Sequence, residues 1–147
     1  MSLGLYLHIP YCFSKCRYCD FYSAPGQRGV PRAYVDALLR ELSRFAPDAP
    51  LRPDTLYFGG GTPSLLDPAD AARLIAAAQP LPGAEITLEA NPETVTEDSL
   101  RAFREAGVNR ISFGVQSARD SQLKTLGRPH TAKQARAAFA AARRAGF

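Results

Sequence analysis

Nowhere in these 147 residues does an apolar run approach the roughly twenty that a membrane helix needs. The opening Met-Ser-Leu-Gly-Leu also lacks the basic stretch and long apolar core of a secretion signal. A cytoplasmic protein is the expectation. Charge of one sign is scarce as well. The formal net charge is only +4, and the arginines are scattered rather than gathered in a block with interleaved aromatics. They read as solvated helix faces, not as a nucleic-acid surface. Cysteine is rarer still, with three in the chain, all between Cys12 and Cys19. Three cannot pair without remainder, and loops this short suit a shared metal better than disulfides, which fits a reducing compartment. What is abundant is apolar residue, at 46%. That is enough for one domain around one core, with no segment too polar to pack.

The pattern along the chain alternates between strand and helix signals. Leu3 to Ile9 is rich in apolar residues and meets Pro10, so it reads as a buried strand that stops abruptly at the cysteine loop. After the Gly- and Pro-containing stretch 25–29, Pro31 can open a helix with Val35, Leu38, Leu39, Leu42 and Phe45 at helical spacing. Thr55 to Phe58 is a short strand closed by Gly59-Gly60-Gly61, and Asp67-Pro68 then caps and opens a helix bearing Ala71, Leu74, Ile75 and Ala78. Ile86 to Ala90 is a third strand, followed by a helix from near Thr96 through Leu100 and Phe103 to Gly107. Arg110 to Val115 is a fourth strand. Thr131 with Gln134 then forms a capping-box pattern ahead of Ala135, Ala138, Phe139 and Ala142, and Gly146 ends that helix.

Strand followed by helix, four times over, predicts an α/β fold with parallel strands, either an open sheet or a barrel. The polar and glycine-rich segments all follow strands: 11–22, 59–64, 91–93 and 116–117. In parallel α/β folds the carboxyl ends of the strands carry the site, so the chemistry is expected on one face. Phe147 stands where a fifth strand would begin, and residues 1–147 read as part of a longer protein.

Cys12-Phe-Ser-Lys-Cys16-Arg-Tyr-Cys19 sets three thiolates on one compact loop, and thiolates are the ligands that iron-sulfur clusters require. Three of them serve three irons of a cubane and leave the fourth open to a substrate. The competing reading is a zinc site completed by His8, with a spacing unusual for structural zinc. An isolated histidine is more often a hydrogen-bonded structural residue, so neither His8 nor His130 is given a catalytic role.

Tyr6-Leu-His-Ile-Pro10, the cysteine loop, Gly59-Gly-Gly-Thr-Pro-Ser64, Glu89-Ala-Asn-Pro-Glu93 and Ser112-Phe-Gly-Val-Gln-Ser117 together resemble the radical-SAM coproporphyrinogen oxidase family over nearly the whole chain. Any one string is weak evidence, since a glycine run serves many turns; five in order, at the ends of expected strands, are specific. The resemblance implies a partial parallel barrel of about four βα units. It also implies a 4Fe-4S cluster on Cys12, Cys16 and Cys19, an electron donor, and S-adenosylmethionine cleaved to methionine and a 5′-deoxyadenosyl radical.

By the same resemblance, Tyr6 and the backbone of Gly60, Gly61 and Thr62 would hold the cofactor's methionine end. Glu89 would accept from its ammonium or ribose, Gln116 would bond the ribose, and Arg128 would pair with the carboxylate. Tyr18 would lie against adenine. Each has a plainer alternative: a turn cap for Glu89, strand-end satisfaction for Gln116, a surface cation for Arg128, simple packing for Tyr18. The oxidases of the family carry a fourth cysteine two residues after the third, where this chain has Phe21, and a long segment before the first strand, where here Met1 is a few residues from Tyr6. Both departures resemble the HemW-like branch, which implies a chaperone that binds heme and hands it to an acceptor protein. The oxidase, which would decarboxylate the propionates of a porphyrinogen, is the alternative.

Overall fold

In the computed structural model, which describes residues 2–45 and 50–147, four strands form one parallel sheet in sequence order. They are β1 (Gly4–Ile9), β2 (Thr55–Gly60), β3 (Glu85–Ala90) and β4 (Arg110–Phe113). Helices α1 (Arg32–Phe45), α2 (Pro68–Ala78) and α3 (Glu97–Glu105) make the crossovers, and α4 (Asp120–Leu126) and α5 (Ala132–Arg144) follow β4. Met1, from which the short leader was read, lies outside the described residues.

Local chemistry sets most boundaries. The Asp67 carboxylate accepts from the Ala69 N–H at 2.8 Å, and Pro68 needs no partner for a missing donor at the first helical position. Thr96 and Thr131 each cap reciprocally, with Ser99 and Gln134 returning the bond. Gly107 and Gly146 follow α3 and α5 at φ +111° and +93°, a region open to glycine at little cost.

Alternation along the strands decides which face is core. Leu7, Ile9, Leu56, Phe58, Ile86 and Leu88 point to the helices and are buried against Val35, Leu42, Leu74 and Phe103. The residues between them, Tyr6, His8, Tyr57 and Glu89, stand on the opposite face, together with Ser112, which the register sets beside Glu89. That polar face, at its carboxyl end, is where the site forms. β4 pairs only with β3 among the described residues, so the sheet has an open edge there.

Three expectations differ from what is observed. The glycine segment does not close β2 at Phe58, because Gly59 and Gly60 still pair with His8 and Ile9. Phe45 and Phe139, counted on the apolar faces of their helices, are 75% and 61% exposed; Phe45 is the last residue of α1, and α5 buries its alanines, Ala135, Ala138 and Ala142 among them, instead. α4 was not expected. Its signals were weak, Leu123 alone being buried, but Gly127 at φ +72° terminates it as a left-handed cap.

Candidate functional site

The cysteine loop leaves β1 at Pro10 and crosses the carboxyl ends of β2, β3 and β4. It is tied down by its own backbone: Cys12 N–H donates to the Ala24 carbonyl at 3.0 Å, Gln27 N–H to the Cys12 carbonyl at 3.0 Å, and Arg17 N–H to the Leu126 carbonyl at 3.1 Å. The last bond anchors the loop to the end of α4. All three thiols are free, Cys12 buried and the others partly so. They share one cavity of about 250 Å³ with Tyr18, Gly60, Gly61, Thr62, Glu89, Gln116 and Arg128. Elements over a hundred residues apart in sequence thus meet in one place, as the strand-end rule leads one to expect.

The glycine run is packed by the protein itself. A Cβ on Gly59 would lie 2.7 Å from the Tyr6 ring and 2.9 Å from the Tyr57 ring, and one on Gly60 would lie 2.6 Å from the His8 ring. One on Gly61 would lie 2.7 Å from the Tyr11 carbonyl and 2.9 Å from the Cys12 sulfur. Glycine is required so that the cysteine loop can lie directly on the end of β2. The backbone N–H groups here are already used: Gly60 donates to Glu89 Oε2 at 3.2 Å, Gly61 to the Ile9 carbonyl at 2.8 Å and Thr62 to the Tyr11 carbonyl at 2.8 Å.

Glu89 also accepts from the Tyr57 hydroxyl at 2.8 Å. Burial, then the Glu89 carboxylate, push the Tyr57 phenol above its ordinary range, so it stays a neutral donor. Arg128 spans the cavity wall. Its Nη2 donates to Asn91 Oδ1 at 2.6 Å and to the Gly114 carbonyl at 2.7 Å, its Nη1 to the Cys16 sulfur at 3.2 Å, and its buried Nε has no partner. A Cβ on Gly114 would sit 2.8 Å from Asn91 Oδ1, which explains a glycine at that point. Asn91 Nδ2 in turn donates to Thr62 Oγ1 at 3.1 Å.

Gln116 lies at the cavity edge with φ +66°, a left-handed conformation that costs an L-residue roughly 1–2 kcal/mol. Tyr18 is half exposed on the loop; burial raises its phenol most, with Cys16 acting the same way and Arg128 opposing it.

Tyr6 is not brought to the cavity wall. It is 54% exposed, stacks on Tyr57 at 6.0 Å, and its hydroxyl lies 3.2 Å from His8 Nδ1. His8 Nε2 is 3.1 Å from the Tyr22 carbonyl, which can only accept, so Nε2–H donates there, while Nδ1 bonds the Tyr6 hydroxyl. Both ring nitrogens thus have protein partners, and completing a zinc site would cost His8 one of these bonds. Among the described residues no three His, Cys, Asp or Glu side chains gather as ligands of one ion. A cubane asks for a different arrangement, one thiolate to each of three irons. Three thiols on one cavity, with a glycine cradle beneath and an unpaired guanidinium N–H, fit such a cluster and an anionic group beside it.

Sequence reasoning gave Asn91 and Gly114 no individual role, although both stood in motifs it singled out. Their positions are set by Arg128, 37 and 14 residues away, a contact that no local pattern encodes.

Comparison with known proteins adds a family. A model of the radical SAM superfamily matches residues 6–147. The chain is 47% identical over 142 residues to "Heme chaperone HemW" of Escherichia coli (strain K12), covering 92% of this chain and 38% of that protein. It is 41% identical over 151 residues to the mitochondrial "Radical S-adenosyl methionine domain-containing protein 1" of Bos taurus, covering 96% and 33%. The solved coproporphyrinogen III oxidase (HemN) from Escherichia coli superposes with a TM-score of 0.87 at 32% identity, over 99% of this chain and 35% of that one. The chain thus spans about a third to two-fifths of the length of these relatives.

Proposed function

Since the chain belongs to the radical SAM superfamily, which implies a 4Fe-4S cluster and S-adenosylmethionine, we propose that Cys12, Cys16 and Cys19 hold the cluster and that this is the cofactor-binding part of a heme chaperone. When bound and reduced, the cluster supplies an electron to the cofactor's sulfonium. The chain's own part is to hold and orient. Three thiolates leave one iron without a protein ligand. With the N–H groups of 60–62 already engaged, what the glycine segment has left for a ligand is carbonyl oxygen, which suits the ammonium of the cofactor's methionine end. Glu89, with two oxygens and capacity beyond its two present bonds, supports the same cation. Gln116 faces the ribose, and the Tyr18 ring is open to adenine. Tyr6 acts at one remove, over Gly59.

Arg128 is the anion partner, positioned by Asn91 and Gly114 and left with an unpaired Nε. Arg128→Ala is expected to weaken cofactor binding by about 1.5–3 kcal/mol, the range for hydrogen bonds to charged groups. Calorimetry on protein that still carries its cluster measures this. Unchanged affinity would make Arg128 a purely structural tie.

The heme reading is carried by one observation: 47% identity to a protein named as a heme chaperone. Phe21 supports it, since it stands 68% exposed on the cavity wall where the oxidases carry another cysteine. The second reading, a coproporphyrinogen oxidase, is favoured by the likeness to that enzyme's solved structure. The open edge of β4 and the small share of the relatives' length support a domain that continues beyond residue 147, with substrate or acceptor recognition there. The full-length protein is expected to retain heme on gel filtration and to leave coproporphyrinogen unchanged under reducing, anaerobic conditions with cofactor present. Turnover of coproporphyrinogen would favour the oxidase; neither binding nor turnover would overturn both.

A further inference from the structure

His130 opens the turn before α5, two residues beyond Arg128, and its side chain is fully buried. Its Nδ1 lies 3.1 Å from Glu93 Oε2, in the turn after β3, and its Nε2 lies 3.1 Å from the Val115 carbonyl, in the segment after β4. A carbonyl only accepts. Nε2–H therefore donates to the Val115 carbonyl, and Nδ1 bonds the Glu93 carboxyl, which is itself 15% exposed. A buried pair of this kind is satisfied only in that geometry, and each partner removed leaves the other stranded.

What the ring holds bears on the cavity. The Val115 carbonyl also accepts from Ser117 N–H at 2.8 Å, and the Gly114 carbonyl before it accepts from Arg128 at 2.7 Å. Two successive carbonyls are thus gripped by two side chains of one short connector, and the next residue is Gln116, at φ +66°. A side chain seldom adopts that conformation unless its surroundings impose it. From these contacts we infer that His130 is a positioning residue, a latch between Glu93 and Val115 that fixes segment 114–117 so that Gln116 faces the cofactor. The inference rests on the reading of the cavity as the S-adenosylmethionine site. It assigns His130 a task without any contact to the cofactor.

The test uses the full-length, cluster-loaded protein, with S-adenosylmethionine as probe. His130→Ala is expected to raise the dissociation constant about tenfold or more at unchanged iron content. Glu93→Gln is the conservative control: its amide can donate to Nδ1 of a neutral ring while Nε2–H keeps the Val115 carbonyl, so affinity should stay within about threefold. In 15N-histidine-labelled protein, the resonances lost in His130→Ala identify this ring. They should show a protonated Nε2 in both the wild type and Glu93→Gln. Affinity within threefold for a loaded His130→Ala would overturn the inference. So would a wild-type ring whose Nε2 carries no proton, a result that stands even if the alanine variant fails to fold. A wild type that binds no S-adenosylmethionine would instead overturn the reading of the cavity, with the ring's signature still deciding on the latch.

Discussion

Cys16→Ala should lose the iron-sulfur cluster altogether, although the rest of the chain folds. A cubane held by three thiolates cannot spare one, since the fourth iron is already without a protein ligand. Cys16 is also the thiol that accepts from Arg128 Nη1, so its removal strands a second guanidinium N–H beside the Nε that already has no partner. Anaerobic reconstitution of the wild type should give about four irons and four sulfides per chain, and the variant close to none. Far-ultraviolet circular dichroism should be unchanged, because Cys16 is only partly buried and contributes nothing to the core behind the sheet. Normal loading of the variant would refute the assignment of this thiolate.

A second large loss is expected where no ligand is touched. Gly61→Val should load little or no cluster, because even its Cβ would lie 2.7 Å from the Tyr11 carbonyl and 2.9 Å from the Cys12 sulfur. Both neighbours belong to the tethered part of the cysteine loop, and Gly61 itself is fixed by its bond to the Ile9 carbonyl. The chain can relieve the overlap only by lifting the loop from the end of β2. Overpacking of this kind costs about 1–3 kcal/mol in stability, which is modest, but the displacement falls on a ligand. Gly83→Ala is the comparison. Gly83 has φ +82° and nothing within 4 Å of a Cβ, so the change should cost about 1 kcal/mol of stability through backbone strain alone and leave loading intact. Equal loading by Gly61→Val and Gly83→Ala would mean that the glycine segment does not support the loop.

Much of this was legible in the residues, for physical reasons. Asp67, Thr96 and Thr131 announce helix starts because a short polar side chain can satisfy a backbone donor from that position alone. Strand alternation is local as well, and it set Tyr57 and Glu89 on the face opposite Phe58 and Leu88. The strand-end rule then gathered the motifs without any knowledge of distances. What escaped was non-local. Nothing near Asn91 marks it as the acceptor for Arg128, and nothing near His130 announces Glu93, 37 residues earlier in the chain, as its partner. The glycine run was read as backbone that holds the cofactor, and nothing in the residues showed that its tightest neighbours are the rings and the cysteine loop of the protein itself. α4 was missed because a seven-residue helix with one buried leucine gives periodicity too little to act on. Tyr6, expected at the cofactor, stands over Gly59 because strand register sets it beside Tyr57.

The central claim is that three thiolates of this loop leave one iron open and that S-adenosylmethionine occupies it. Electron-nuclear double resonance on the reduced, cluster-loaded protein, with the cofactor labelled with 15N at its methionine amine, tests this most directly. The account predicts a resolved 15N coupling to the cluster spin that vanishes when unlabelled cofactor replaces it. A cluster signal that neither shifts nor couples when the cofactor is added at saturating concentration would contradict it.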